Sequence, residues 1–205
     1  MRLRAGSIEL PFATPSGRLD QADKAIGTWL GGRVGSMPYT LTQLAADIRE
    51  TLKTSSGRAA KTAVCEHVSK ALADQSFLAT HLQDRAANAN PREVLYEDAE
   101  LGFCICGHVY SGPANGAPHD HGPSWAIYGQ ATGITEMTDW RIVAKGKGDE
   151  PTLVEPAKTY LMKPGDAHLY DVGDVHSPKR EAPVKLIRIE GRNLDRVQRS
   201  NIKAR

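Results

Sequence analysis

The chain has 205 residues, of which 40% are hydrophobic and 24% charged, so it is long enough for one globular domain with a sizeable core. Its formal net charge of +2 is too small to indicate binding to nucleic acid or to an acidic membrane surface, and no apolar run approaches a membrane span. Three cysteines without a CxxC pair, and the lack of an apolar leader near the start, indicate a reducing compartment, the cytoplasm.

The first part of the chain predicts an irregular arm followed by helices. The first 18 residues are broken by prolines and a glycine, and Asp20–Leu30 predicts a short helix. From Tyr39 onward, apolar residues recur at helical spacing, and Thr40 with Gln43 indicates a capping box at the start of that helix. The further helical stretches are Arg58–Ala73 and a short one that begins at Ser76.

After residue 91 the pattern changes to short β-prone segments separated by Gly, Pro and Asp turns. Helices followed by six or more short strands predict an α+β, mainly β fold whose strands form a barrel or jelly roll. We expect a single domain over 1–205, with an arm and helices in 1–90, a barrel in 91–192 and a basic tail without assigned function in 193–205. The predicted strands are Val94–Tyr96, Gly102–Tyr110, Trp125–Tyr128, Gly133–Val143, Thr159–Met162 and Val184–Ile189.

The densest group of potential metal ligands is the segment PHDHGP, residues 118–123. In an extended segment, residues i and i+2 point to the same face, so His119 and His121 can aim into a barrel and bind one ion. The flanking Pro and Gly residues keep the pair near a barrel mouth, where solvent and substrate can enter. Because the pair alone is a weak signal, a third ligand must come from elsewhere.

A second cluster, KPGDAHLYDVGDVHSP at residues 163–178, offers that ligand, because two Gly-Asp turns each lead to a histidine. His176 is the predicted third ligand, since GDVH is typical of a turn that leads directly into an inward-facing strand. His168 stays open as an alternative third ligand, a fourth ligand or a neighbour of the site. Open three-histidine sites suit divalent iron, zinc, copper or nickel, because imidazole is a borderline ligand.

Other candidate groups receive a structural interpretation. His67 and His81 lie in helical stretches without a matching ligand four residues away, and His108 is interpreted as a buried structural histidine. Cys104 and Cys106 share a strand face but have no second sulfur pair, so they are interpreted as small buried hydrophobes. No GxSxG elbow, P-loop, GxGxxG after a strand or HExxH occurs in the sequence, which argues against the corresponding enzyme classes.

The barrel region of the sequence resembles the cupin-fold thiol dioxygenases. The resemblance lies in YEDAELGFCICGHVYSGPANGAPHDHGPSWAIYGQATGITEMTDW followed by KPGDAHLYDVGDVHSP, and it is strongest toward the bacterial cysteine and 3-mercaptopropionate dioxygenase-like proteins. It covers roughly residues 40–192 and is specific in the HDH segment and in its spacing to the second cluster. The resemblance implies a cupin double-stranded β-helix with an N-terminal helical subdomain.

By the same resemblance, His119, His121 and His176 would bind Fe(II), and zinc, nickel or manganese would fit as other divalent ions. Enzymes of this family bind a small thiol and O2 at open positions on one face of the metal and oxidise the thiol to a sulfinate. The implied partners are a small-molecule substrate and O2, with no nucleic acid and no membrane. Three neutral histidines without a carboxylate leave the ion a net positive charge, which suits an anionic thiolate.

Two family features differ in this chain. Members of the mammalian cysteine type place a cysteine five residues after the HxH pair, where this chain has Ala126, so no cysteine–tyrosine crosslink is expected. The last strand carries Leu186, Arg188 and Glu190 instead of a Ser-His-Tyr set. Two alternatives therefore stay open. One is another three-histidine cupin enzyme, such as a dioxygenase that cleaves a C–C bond or an isomerase, and the other is a non-catalytic cupin that binds a metal or a small ligand.

Four side chains are candidates for contacts with a substrate. A cavity-facing Arg188 could clamp a substrate carboxylate with two hydrogen bonds, although the solvent face of an alternating strand is the preferred position for Arg188 and Glu190. Arg92 lies where some family members keep a carboxylate-binding arginine. Tyr128 and Tyr170 are candidates for hydroxyl groups in the pocket, and with Arg188 they form the predicted catalytic set.

Overall fold

The structure, a computed structural model, describes residues 38–86 and 88–205. The arm predicted for the first 18 residues and the helix predicted over Asp20–Leu30 lie outside the described residues. The described residues belong to one compact unit, in which helices are followed by strands. Within this part of the chain, no helix has the length and apolar character needed to cross a membrane.

Three consecutive helices precede the strands. Their bounds are Leu41–Thr54 for α1, Gly57–Ala73 for α2 and Gln75–His81 for α3. Thr40 caps α1 as predicted, because its side-chain oxygen accepts a hydrogen bond of 3.1 Å from the backbone N–H of Gln43. The predicted reciprocal bond of the capping box is wrong, since the Gln43 side chain donates to Asp47 on the next turn. Asp74 caps α3 by accepting hydrogen bonds from the backbone N–H groups of Ser76 and Phe77.

The strands form two curved five-stranded sheets. The bounds of β1 to β10 are Arg92–Glu97, Cys104–Tyr110, Ala114–Asn115, Ala126–Thr132, Thr135–Ala144, Thr152–Met162, Ala167–Tyr170, Val175–Arg180, Val184–Glu190 and Ile202–Ala204. The first sheet has the order β1-β2-β9-β4-β7 and the second has the order β10-β6-β5-β8-β3. Neighbouring strands are antiparallel except β10 and β6, which are parallel. Three helices followed by two curved five-stranded sheets make an α+β, mainly β barrel, so the predicted fold class is confirmed.

Each of the six predicted strands overlaps a strand of the structure. The segment predicted over Thr159–Met162 is part of the longer β6, which begins at Thr152. Strands β3, β7 and β10 were not predicted, whereas β8 is the strand expected after the turn at GDVH. β7, which carries His168, is the edge strand of the first sheet, and β8, which carries His176, belongs to the second sheet, so the two histidines of the second cluster lie on different sheets.

The helices cover the outer face of the first sheet. Val68 of α2 belongs to the same buried cluster as Ile105 of β2, Ile127 of β4 and Ile187 of β9. Each fully buried aliphatic side chain of this kind contributes about 1.5–3 kcal/mol to folding. At Gly129 of β4, a Cβ atom would lie 2.4 Å from Cγ1 of Val68, so the close approach of α2 to this strand requires glycine.

The inner face of the first sheet carries polar side chains. Successive residues of a strand point to opposite faces, so Ile187 and Ile189 of β9 face the helices while Arg188 and Glu190 face the barrel interior. Arg188 is 7% exposed and Glu190 is 0% exposed. The preferred prediction of a solvent-facing Arg188 and Glu190 is therefore wrong. It assumed one exposed face, whereas β9 lies between β2 and β4 and is covered on its other side by helices.

Part of the segment predicted as a basic tail joins the barrel. A short 3-10 helix, Leu194–Arg196, follows β9. The chain then adds β10 to the edge of the second sheet, where Ile202 pairs with Thr152 and Ala204 with Val154. The intervening residues 197–201 consequently run across the barrel next to the site described below.

Candidate metal centre

The main chain brings His119 and His176 together. His119 lies in the irregular segment before β4, and His176 is the second residue of β8. The backbone N–H of each residue donates to the carbonyl oxygen of the other at 3.0 Å, which makes an isolated antiparallel bridge. His121 follows two residues after His119, so three imidazole rings reach the same end of the barrel interior.

The three rings lie within reach of a single ion. One ligand nitrogen from each of His119, His121 and His176 lies within 4.8 Å of the other two. His168 lies outside this group, and its ring centroid is 5.2 Å from that of Tyr160 and 4.7 Å from that of Tyr170. The structure thus brings the predicted pair together with His176 and not with the alternative His168.

Main-chain carbonyl groups orient two of the rings. Nδ1 of His119 lies 2.9 Å from the carbonyl oxygen of Ala117, and Nδ1 of His176 lies 3.4 Å from that of Asp174. A carbonyl oxygen can only accept, so each Nδ1 is assigned as the N–H donor and each Nε2 keeps its lone pair. Nδ1 of His121 is buried without a hydrogen-bond partner among the described residues.

The three imidazole rings are neutral at physiological pH. Burial is the largest cause that lowers the pKa of each ring, and the pKa of His121 falls to about 3. The positive charges of Arg188 and Arg199 lower the pKa values of His119 and His121 further, while His119 and His121 lower that of His176. A neutral imidazole offers the lone pair that a metal requires, so this donor set fits a divalent transition metal ion.

The hydroxyl group of Tyr128 lies where two of the rings converge. Its oxygen is 3.1 Å from Nε2 of His121 and 3.3 Å from Nε2 of His176. Nη1 of Arg188 lies 3.4 Å from the same oxygen. The predicted hydroxyl candidate therefore lies between the histidine group and the arginine, where it can donate a hydrogen bond to a ring nitrogen or to a bound molecule.

A cavity of about 180 Å³ adjoins this group. Its volume suits a small molecule rather than a large cofactor. Among the described residues that line it are His119, Tyr128, three arginines and no carboxylate, so its electrostatic character suits an anion. Arg188 occupies the cavity-facing position that a carboxylate clamp requires.

Arg188 belongs to a buried ion-pair network. Glu190 accepts a hydrogen bond of 2.8 Å from Nε of Arg188 and forms an ion pair of 2.7 Å with Arg92. Burial alone would raise the pKa of Glu190, but Arg92 and Arg188 lower it to about 2. Arg92 also contacts Asp195 and Asn193, and it is absent from the described cavity lining. Arg92, predicted to bind substrate, is therefore paired with Glu190 and does not reach the cavity.

Tyr170 lies behind a histidine ring. Its ring stacks on that of His176, with centroids 3.8 Å apart and an interplanar angle of 18°. Its hydroxyl oxygen is 2.7 Å from that of Tyr160, which donates to Asp139 at 3.1 Å. Burial raises the pKa of Tyr170, and Tyr160 raises it further, so the hydroxyl stays protonated. Tyr170 was predicted to contribute a hydroxyl group to the pocket. It lies outside the described cavity lining and instead supports the His176 ring by stacking on it.

His108, Cys104 and Cys106 lie outside the histidine group and the cavity lining, and their structural interpretation stays a prediction. His108 is buried, and its Nδ1 lies 2.9 Å from the hydroxyl oxygen of Tyr110. Burial is the largest cause that lowers the pKa of His108 well below its ordinary value. Burial also raises the pKa of Cys104 to about 11 and that of Cys106 to about 12, so both thiols stay protonated at neutral pH.

Two arginines that line the cavity were not singled out from the sequence. Arg180 is the last residue of β8, four positions after His176, and even spacing along a strand places both on one face. That spacing was a usable signal. Arg199 lies in the segment that was predicted to be a basic tail. It reaches the cavity through contacts between residues far apart in sequence, so no local sequence pattern could identify it.

Comparisons with known proteins found no matching family model and no matching curated protein. A cupin superfamily protein from Desulfitobacterium hafniense has a similar fold, with 13% identity over 62% of this chain and 88% of that chain and a TM-score of 0.39. KdgF from Halomonas sp. has 14% identity over 56% of this chain and 94% of that chain, with a TM-score of 0.39. The DMSP lyase DddQ from Ruegeria pomeroyi has 12% identity over 60% of this chain and 62% of that chain, with a TM-score of 0.38.

Proposed function

We propose that this protein is a metal-dependent cupin enzyme, an Fe(II) dioxygenase that oxidises a small anionic thiol to a sulfinate with O2. The observation that carries the proposal is the convergence of three neutral imidazole rings beside a small cavity lined by arginines. The resemblance of the HDH segment and the second cluster to thiol dioxygenases supports the choice of reaction.

The ion would be held by His119, His121 and His176, because each offers an unprotonated ring nitrogen. No carboxylate belongs to this group, so the bound ion would keep a net positive charge. Bound Fe(II) would supply open coordination positions for a thiolate and O2 and the electrons that activate O2. The same nitrogen donors would also accept zinc, nickel or manganese.

The protein side chains would bind and orient the substrate. Arg188 would bind an anionic group, since it is buried, lines the cavity and is held from behind by Glu190. The hydroxyl of Tyr128, between Arg188 and two of the histidines, would donate a hydrogen bond to the substrate. Both atoms of O2 are added to the thiolate sulfur to give the sulfinate, so the conversion needs no external reductant.

Metal analysis tests the site. The purified protein should bind about one equivalent of Fe(II), His176→Ala should abolish that binding, and His168→Ala should largely preserve it. Because both substitutions remove an imidazole from the second cluster, His168→Ala is a matched control. A protein that binds no transition metal, or one that loses it only through His168→Ala, contradicts the proposal.

Oxygen consumption tests the reaction. We expect Fe(II)-loaded protein to consume O2 with a small carboxylated thiol and to form the sulfinate in equal amount. The alternative of a cupin acting on a carbon acid is favoured by Leu186, Arg188 and Glu190, which stand where many thiol dioxygenases have Ser-His-Tyr. Oxygen uptake with carbon acids and none with thiols would select that alternative.

A further inference from the structure

We propose that Arg180 and Arg199 form an anion-binding site at the outer end of the cavity, so that the natural ligand is a small dianion. One anionic group would face Arg188, and the second would bind between Arg180 and Arg199. The inference rests on the proposed function in that both use the same cavity, but anion binding can be measured without metal.

The charge balance of the cavity supports this assignment. Glu190 offsets the charge of Arg188, whereas Arg180 and Arg199 have no carboxylate within ion-pair distance among residues 38–86 and 88–205. The guanidinium of Arg180 lies over the ring of Tyr110, 3.8 Å from its centroid, and its Nε is buried without a hydrogen-bond partner among those residues. A buried, unpaired cationic donor is costly, so an anionic ligand would stabilise it.

The three arginines act on the same small region. Burial raises the pKa of Tyr110, and the charges of Arg188, Arg180 and Arg199 oppose that rise. Arg199 and His119 line the same cavity, so the charge of Arg199 lies near the histidine group. After the offset by Glu190, two positive charges remain for a ligand to neutralise. A dianion matches that number.

Residues 197–201 are hydrogen-bonded to the loop that carries His119 and His121. We call this contact between Ser200 and Asp120 the clasp, and it positions Arg199. Asp120 lies between His119 and His121 in sequence and accepts hydrogen bonds from the backbone N–H of Ser200 at 3.1 Å and from its hydroxyl at 2.6 Å. A Cβ atom at Gly122 would lie 2.4 Å from the carbonyl oxygen of Gln198, so the segment lies directly against this loop.

A second anchor follows immediately. Residues Ile202–Ala204 form β10, which pairs with β6. Arg199 is thus held between the Ser200–Asp120 contact and a strand pairing, which limits the conformational entropy lost when it binds an anion. A solvated basic tail would need neither the Ser200–Asp120 hydrogen bond nor the pairing of β10 with β6, so these contacts indicate that the segment has a fixed position.

The test uses metal-free protein and malonate, with acetate as the monoanionic probe, in isothermal titration at low ionic strength. We expect malonate to bind more tightly than acetate by at least about tenfold, since it can meet both positive regions. Arg180→Gln and Arg199→Gln should each weaken malonate binding by about tenfold or more. Arg192→Gln, which removes an exposed charge from the same segment outside the described cavity lining, is the matched control.

The outcomes separate this inference from the proposed function. Equal malonate affinity in wild type, Arg199→Gln and Arg192→Gln would overturn the anion site, as would the absence of malonate binding to the wild type. Metal titration of Arg199→Gln should match the wild type. If no metal binds but malonate binding depends on Arg180 and Arg199, the enzyme proposal fails and the anion site stands.

Ser200→Ala should weaken malonate binding at least about threefold, and an unchanged affinity would overturn the positioning role of the clasp.

Discussion

Replacement of Glu190 by glutamine would remove the buried negative charge that Arg92 and Arg188 share. Folding lowers the pKa of Glu190 from its ordinary value of 4.5 to about 2. At about 1.4 kcal/mol per pKa unit, this shift corresponds to about 3 kcal/mol of stability at neutral pH. Removal of one partner from a buried ion pair costs about 3–5 kcal/mol, so we expect Glu190→Gln to lower the free energy of unfolding at pH 7 by about 3 kcal/mol.

The size of this loss depends on pH in a defined direction. The pKa of the carboxyl is lower in the folded state, so its contribution is present above pH 4.5 and is lost as the pH falls toward 2. At pH 3 the difference in stability between wild type and Glu190→Gln should therefore shrink to about 1 kcal/mol. Urea denaturation at pH 7 and pH 3, followed by tryptophan fluorescence, measures both differences.

Glu93→Gln is the control for this experiment, because Glu93 forms an exposed ion pair with Arg85. Such a pair contributes little, so the control should be close to wild type at both pH values. The reasoning is refuted if Glu190→Gln is no more destabilising than Glu93→Gln, or if its effect is the same at pH 7 and pH 3.

Three further perturbations follow from close contacts and burial. Gly129→Ala should lower stability by about 1–3 kcal/mol, seen as a lower Tm, because the new methyl would clash with Val68. Gly122→Ala should speed proteolytic cleavage near the C-terminus, because Gly122 has a φ of 57° and its Cβ would press on Gln198. Cys106 should react with a thiol reagent only when the protein unfolds, because it is buried and its pKa is about 12.

Matched controls keep these results specific. Gly112→Ala has open space around its new Cβ, so a Tm as low as that of Gly129→Ala would contradict the packing argument. Gly173→Ala adds a side chain at a φ of 84° without a close contact, and proteolysis as fast as in Gly122→Ala would show that strain alone is responsible. Rapid labelling of Cys106 in native buffer, at a rate independent of unfolding, would contradict its burial.

The fold class and the histidine group could be predicted because their signals are local. Spacing of two residues places His119 and His121 on one face, and a Gly-Asp turn leading into a strand marked His176. The strand over Val184–Ile189 was recognised from its composition, but the environment of Arg188 was not. Alternation along one strand cannot reveal that helices cover its other face.

The rest of the site depends on contacts between distant parts of the chain. β10 is only three residues long, and it forms because β6 provides a partner edge about 50 positions earlier. Arg199 owes its position to Ser200 and Asp120, which are separated by 80 residues. A basic segment in isolation has the composition of a solvated tail, so tertiary contacts rather than local pattern decide its role.

The backbone bridge between His119 and His176 fixes the positions of two of the proposed ligands through the main chain. Two main-chain hydrogen bonds and two carbonyl contacts to Nδ1 set these rings in place through protein–protein interactions. Zinc-finger peptides, by contrast, acquire their structure from the ion itself. An ion that binds as proposed would meet rings that are already oriented, so its identity would depend on local supply and on the affinity order of nitrogen donors. If the proposed activity depends on that ion, batches of identical sequence made in different growth media would differ in activity.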